Sequence, residues 1–354
     1  MPRSPERLPP TLGDAFSRAT ASALGVSPKR LRAGDLEIPF RGVRRRVAGT
    51  TVAPDDVPDT DPLAVDRARA RRVISDARAY ATIMHSDAFF CGRTAAILHG
   101  TGIGGGVGVG FGGSGGGSGG GRCDVADELE VGVLAPARAP RRRGIRGRQF
   151  APVLVEVTTV AGLRLTTPAS TWAMLARDAG IVELVRVGDA FVRVPRGPGG
   201  TRLRDGALAT PEQLALAARA GRRVGIAKLT SALSLIRVGA MSPLETDCRL
   251  ALTSAGLPEP VLDLEIRDGA GRLVGIADAA WPAHRVIAEV EGDHHRTSRR
   301  QWNRDIEKHA ALVALGYEVI RLTASHIRGP RPAAVALVGD ALRRRGWSPA
   351  RSSV

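Results

Sequence analysis

Cysteine is almost absent from this 354-residue sequence: only Cys91, Cys123 and Cys248 occur, and no two form a Cys-x-x-Cys pair. That excludes a disulfide framework and a cysteine-rich zinc module. Lysine is as scarce, with Lys29, Lys228 and Lys308 among 51 basic residues, and aromatic side chains make up only 4%. No apolar run approaches the roughly 18 residues of a membrane-spanning helix. The opening Met-Pro-Arg-Ser-Pro-Glu-Arg lacks the apolar stretch of a signal peptide. These absences predict a cytoplasmic protein with no membrane partner.

At 43% hydrophobic residues, a chain of this length can bury the cores of two domains. The 43 Gly and 23 Pro point to long irregular stretches between them. The net charge is +16. An arginine skew this strong reflects GC-rich coding, but the excess over acids is real and unevenly placed. Residues 1–242 hold 35 basic and 21 acidic residues, a net of +14; residues 243–354 hold 16 and 14, a net of +2. A basic front and a nearly neutral rear with clustered acids predict a polyanion-holding part and a separate chemical part.

Along the chain, residues 1–47 read as a winged helix-turn-helix. Asp14–Leu24 favours a helix, Ser27 caps a second short helix through Leu31, and Leu36–Arg46 forms a basic hairpin. Arg44, Arg45 and Arg46 on that wing are candidate DNA contacts. Residues 48–64, rich in Pro, Asp and Thr, read as a linker. An α+β region follows over 65–240. It is interrupted by 102–121, where 14 of 20 residues are Gly without the Lys-Ser/Thr of a phosphate loop, which reads as a disordered insertion. The run 138–148 carries six arginines that can meet phosphates.

From Ser242 to residue 346 the pattern becomes α-β-β-β-α-β-α. Ser242 and Glu245 form a capping box around Pro243. Strands are expected over 261–266, 273–280, 285–291 and 317–322. The long helix from Thr297 to Leu315 presents Trp302, Ile306, Ala310 and Val313 on one face. Glu289 and Glu291, one residue apart in an apolar strand, share a face. The four-residue turn after Trp281 folds Asp278 back across from Glu289, and Glu245 approaches from the first helix. Converging carboxylates repel one another unless a hard cation such as Mg²⁺ lies between them. The adjacent His294 and His295 have no partners at zinc-finger spacing.

Several stretches here carry a family resemblance: Ser242-Pro-Leu-Glu245, Ala277-Asp278, Glu289-Val-Glu291-Gly292-Asp-His-His295, Trp302-Asn-Arg304-Asp305 and Leu315-Gly-Tyr-Glu-Val-Ile-Arg321. They resemble the PD-(D/E)XK, restriction-endonuclease-like superfamily, in a branch related to very-short-patch repair endonucleases. The resemblance implies an α/β domain with a mixed sheet flanked by helices, and Mg²⁺- or Mn²⁺-dependent endonuclease cleavage of DNA. It further implies Asp278, Glu289 and Glu245 as metal ligands, Glu291 at a third catalytic position, and His295 for proton transfer. Where the superfamily has lysine this chain has Glu291, so the positive charge must come from elsewhere, and His295 or Arg304 could supply it. Arg299, Arg300 and Arg304 would meet DNA phosphates.

The front is similar, on Leu31-Arg-Ala-Gly-Asp-Leu, Pro39-Phe-Arg-Gly-Val, Arg93-Thr-Ala-Ala and Leu165-Thr-Thr-Pro-Ala-Ser-Thr-Trp172, to AbiEi-like antitoxins of type IV toxin–antitoxin systems. That resemblance implies an operator-binding winged helix and a partner toxin. The expected activity is thus DNA endonuclease, and the alternative is a DNA-binding regulator whose nuclease-like part is inactive.

Overall fold

The computed structural model describes residues 6–47, 64–100, 128–291 and 299–349. The described chain is a mixed α/β protein with three β-sheets. The expected linker falls almost wholly outside the described residues, and the Gly-rich insertion and His295 fall wholly outside them.

The N-terminal unit contains β1 (Ala15–Ser17), α1 (Arg18–Ala23), a 3-10 turn at Arg30–Arg32, β2 (Leu36–Glu37) and β3 (Val43–Arg46). Its antiparallel sheet has the order β1-β3-β2. The hairpin expected over 36–46 is present, but both helices are shorter than the sequence predicts. Phe16 must be buried against Leu12, Ala21, Leu31 and Leu36, so residues 15–17 extend into a strand. Ser17 then caps α1, its Oγ accepting from Thr20 N at 2.9 Å. Ser27 Oγ likewise accepts from Arg30 N at 3.2 Å, but only one 3-10 turn follows. There the buried Arg30 is held by both oxygens of Asp35.

The middle of the chain contains α2 (Ala64–Ala81), β4 (Phe89–Phe90), α3 (Gly92–Leu98), β5 (Leu129–Leu134), β6 (Arg141–Arg142), β7 (Ile145–Phe150), β8 (Val157–Val160) and β9 (Leu163–Thr166). The strands form one mixed sheet in the order β6-β7-β5-β4-β9-β8. Val73, Ala77 and Tyr80 of α2 pack on Phe90, Val131 and Leu165. A helical layer follows: α4 (Pro168–Leu175), α5 (Ile181–Val192), α6 (Pro211–Arg219) and α7 (Ile226–Leu235). They close around Trp172, Leu184, Phe191, Leu214 and Leu229. Trp172 satisfies its indole N–H on Leu184 O at 2.8 Å.

The last part contains α8 (Pro243–Ser254), β10 (Val261–Arg267), β11 (Leu273–Trp281), β12 (Val286–Glu291), α9 (Arg299–Ala314), β13 (Glu318–Thr323), α10 (Ala324–Ile327) and α11 (Ala333–Arg344). The expected element order holds, with the short α10 added. The sheet order is β10-β11-β12-β13, antiparallel except for the parallel pair β12–β13. Cys248 and Leu252 of α8, with Val338 and Leu342 of α11, cover Ala279, Val286, Ala288 and Leu322. Leu312 of α9 packs with Ile266, Ala280 and Ile287.

Among the described residues, six acid–arginine pairs join this part to the preceding segment, Arg196–Glu265, Arg202–Asp263 and Arg237–Glu259 among them. Asp189 and Arg249 pair at 2.8 Å while only 1% and 2% exposed, Arg186 pairs with Asp247 at 2.5 Å, and Arg196 pairs with Asp263 at 2.7 Å. Among the described residues, no helix is long and apolar enough to cross a membrane.

Candidate active site

Three acids are set by local folding. Ser242 caps α8 by accepting from Glu245 N at 3.2 Å, and Pro243 fits the first turn. The Glu245 carboxylate turns back, and its Oε2 accepts from Met241 N at 2.7 Å, one residue before the cap. On the neighbouring hairpin the ladder runs Trp281↔Val286, Ala280↔Ile287, Ala279↔Ala288. The ladder ends there, and Asp278 lies one residue beyond it on β11, Glu289 one residue beyond it on β12. There the Asp278 side chain takes over from the main chain, its Oδ2 accepting from Val290 N at 2.7 Å.

The electrostatics show that these carboxylates sense each other. Burial, and secondly the negative charge of Asp278, push Glu245 up to about 8 against its hydrogen bonds from Met241 and Ser242. Burial, and secondly Glu289, push Asp278 up to about 7, opposed by the Val290 N–H and by Lys308. Asp263, bracketed by the pairs Leu262↔Ala279 and Leu264↔Ala277 on the adjacent strand, adds to both shifts. Its backbone is left-handed, with φ of +51°. Its carboxylate accepts from Arg196 Nε at 2.7 Å and Arg202 Nε at 3.1 Å.

Lys308, one of three lysines in the chain, enters from α9. Its Nζ lies 2.9 Å from Oε1 and 3.0 Å from Oε2 of Glu289, and it donates to Ile276 O at 2.7 Å. Only the Oε2 contact has hydrogen-bond angles, so the buried Oε1 has no hydrogen bond. Gly275 leaves the lane for the lysine stem: a Cβ there would meet Lys308 Cε at 2.8 Å. Glu291 pairs instead with Arg321, its diagonal neighbour on β13.

Among the described residues, no three His, Cys, Asp or Glu side chains form a metal-holding group. Mg²⁺, however, commonly draws only one or two protein carboxylates and takes its other oxygens from water and phosphate. Asp278 and Glu289 are hard-oxygen donors of the kind such an ion takes: Asp278 is desolvated and senses the charge of Glu289, whose buried Oε1 has no hydrogen bond and lies 2.9 Å from Lys308 Nζ.

No family model and no solved structure matches the chain. Two curated relatives from Mycobacterium tuberculosis, of strains CDC 1551 / Oshkosh and H37Rv, are each 28% identical to it over 169 residues, and both are described as uncharacterized proteins. The match covers 48% of this chain and 58% of each relative, so the chain spans little more than half the length of the relatives it matches.

The remaining candidate residues are dispersed. Arg299, Arg300 and Arg304 lie in the first part of α9, whose side chains there are outside the described ones. On the wing, Arg44 donates to Leu31 O at 2.7 Å and to Val43 O at 2.9 Å. Arg45 is neutralised by Glu37 and by Asp76 at 2.6 Å, and Arg46 reaches Leu12 O at 3.4 Å. These arginines serve the fold before they meet any ligand.

Sequence reasoning missed Lys308 because it misplaced the inner face of α9. Ile306 and Val313 are 52% and 50% exposed, while Leu312 is 1% exposed on the side of Lys308. Asp263 was missed because it sits inside an ordinary-looking strand.

Proposed function

We propose that the chain is a Mg²⁺- or Mn²⁺-dependent endodeoxyribonuclease with a restriction-endonuclease-like C-terminal domain and a basic, winged-helix-containing front that holds DNA. The observation that carries this reading is the meeting of Asp278 and Glu289 at the end of the β11–β12 ladder, with Glu245 within electrostatic reach and Lys308 on Glu289. The element order and the antiparallel-antiparallel-parallel sheet support the domain assignment, and the strand-helix-hairpin layout of residues 15–46 supports the winged helix.

In this reading Asp278 and Glu289 hold the cation and Glu245 supports its shell from α8. The cation, when bound, polarises the scissile phosphate and eases loss of the leaving oxygen. Lys308 brings a positive charge to Glu289, so charge on the phosphate can be stabilised from α9 rather than from β12, where the chain has Glu291 in place of a lysine. Glu291 with Arg321 frames the strand end, and His295 serves proton transfer.

A second reading, a DNA-binding regulator or antitoxin with an inactive nuclease-like part, draws on one observation. Lys308 and Arg321 already neutralise Glu289 and Glu291 inside the protein. Supercoiled plasmid incubated with the protein and Mg²⁺ separates the two. Nicking or linearisation that disappears in Asp278→Ala supports the enzyme; retardation of DNA without cleavage by wild type supports the regulator.

A further inference from the structure

The arginine run of the middle region is a hairpin. β6 and β7 pair Arg141↔Arg146 and Arg142↔Ile145, joined by Arg143-Gly144 with Gly144 at φ of +79°. β6 is the outermost strand of its sheet. Of the six arginines in 138–148 only Arg148 turns inward, 13% exposed and shared between Glu130 at 3.1 Å and Asp178 at 3.2 Å. The other five are exposed. Arg146 lies 3.6 Å from Glu130, whereas Arg138, Arg141 and Arg143 make no ion pair among the described residues.

The platform beneath these charges is fixed. A Cβ at Gly147 would lie 2.0 Å from Pro140 O, so the hairpin is pressed against its own lead-in. Ile145 is buried, and a Cβ at Gly144 would touch Phe40 at 3.3 Å. Arg142 donates to Arg41 O at 2.7 Å, and Arg18 N donates to Gly42 O at 2.7 Å. The backbone of the exposed Arg41, and through Gly42 that of the exposed Arg18, is thereby tied to the hairpin. The acids on the neighbouring strand are Glu128, just before β5, and the buried Glu130. Arg141 and Arg146 face each other directly, an arrangement that costs stability in a sheet.

We propose that Arg18, Arg41, Arg138, Arg141, Arg142 and Arg143 form the anchor for the phosphate backbone of double-stranded DNA. This rests on the DNA-directed reading above and moves the anchor away from Arg44–Arg46, which the fold consumes. A duplex fits better than a single strand. Single-strand grooves rely on aromatic side chains that stack on bases, whereas Phe40 and Tyr80, the aromatics beside this surface, are buried. Rigid guanidinium groups without stacking partners suit a regular phosphate backbone.

The test is anisotropy of a fluorescein-labelled 20-base-pair duplex with the full chain in EDTA, titrated over 50–300 mM NaCl. Each phosphate contact contributes about 0.9 to the slope of log K against log salt. The variant Arg138→Gln/Arg141→Gln/Arg143→Gln is expected to lose about 3 from the slope and about 10²-fold in affinity near 150 mM. The same three positions as Lys retain most of both, and Arg141→Gln alone leaves the Tm unchanged or raised. An unchanged slope in the Gln variant overturns the proposal. So does a wild type that fails to bind the duplex, or that prefers a single strand or vesicles containing 30% phosphatidylserine. EDTA separates this result from the carboxylate site. A protein that cuts DNA but whose Gln variant binds normally defeats only the anchor, and an Asp278→Ala protein that binds but does not cut leaves it standing.

Discussion

Replacing Asp278 by Asn tests the carboxylate site without any substrate. Asn keeps an oxygen for the Val290 N–H but removes the charge that lies between Glu245 and Glu289. Raising an Asp from its ordinary 3.8 to about 7 on folding corresponds to a penalty of up to about 4 kcal/mol. The sign follows from proton counting. Between about pH 4 and 7 the folded state keeps a proton that the unfolded state has released, so stability falls as pH rises through that window. Glu245, pushed up to about 8, extends the fall upward. In EDTA the wild type is therefore expected to be more stable at pH 5 than at pH 8.5. Asp278→Asn should gain about 2–4 kcal/mol at the higher pH, about 3–5 °C in Tm, and show a flatter profile. Urea unfolding at both pH values, with 10 mM Mg²⁺ in parallel, reads this directly. Mg²⁺ should raise the wild-type midpoint at pH 8.5 and leave Asp278→Asn unmoved. A flat wild-type profile, or an Asn variant with the same slope as wild type, would refute the mutual repulsion on which the site is argued.

Other positions give independent checks. Lys308→Ala leaves Glu289 unpaired beside Asp278; we expect a loss of about 1–3 kcal/mol in urea unfolding and at least about 10²-fold in plasmid cleavage, with partial recovery in Lys308→Arg. Asp189→Ala strands the buried Arg249 and should cost about 3–5 kcal/mol, measured by the same unfolding assay. Gly225→Ala places a Cβ 2.7 Å from Ala176 O at a φ of +82°; a fall of about 2 kcal/mol or more is expected, and an unchanged midpoint would show that the α7 entrance can relax.

The C-terminal domain was legible because its signals are local. Ser242-Pro243 marks a helix start, a four-residue turn fixes the hairpin, and apolar alternation marks the strands; the register from Trp281↔Val286 to Ala279↔Ala288 follows from the turn. The α9 face was not legible, because a lysine lies in the inward stripe and breaks the apolar period, so the apolar residues alone point to the wrong side. The same limit hid β6 and β7. An arginine run has no alternation to read, and its strand character comes from pairing with β5, residues whose partnership is a tertiary fact. At the front, the helix propensity of residues 14–17 lost to the burial of Phe16.

The acid–arginine seam has a consequence for how the protein can be dissected. A fragment beginning at Ser242 keeps Asp263, Asp247 and Arg249 but discards Arg196, Arg202, Arg186 and Asp189. Asp263 would lose both of its arginines and Arg249 its buried counter-ion, each desolvated in the parent fold. The stretch that looks most self-sufficient on paper is therefore a poor unit to express alone, and a working excision must begin upstream of α5.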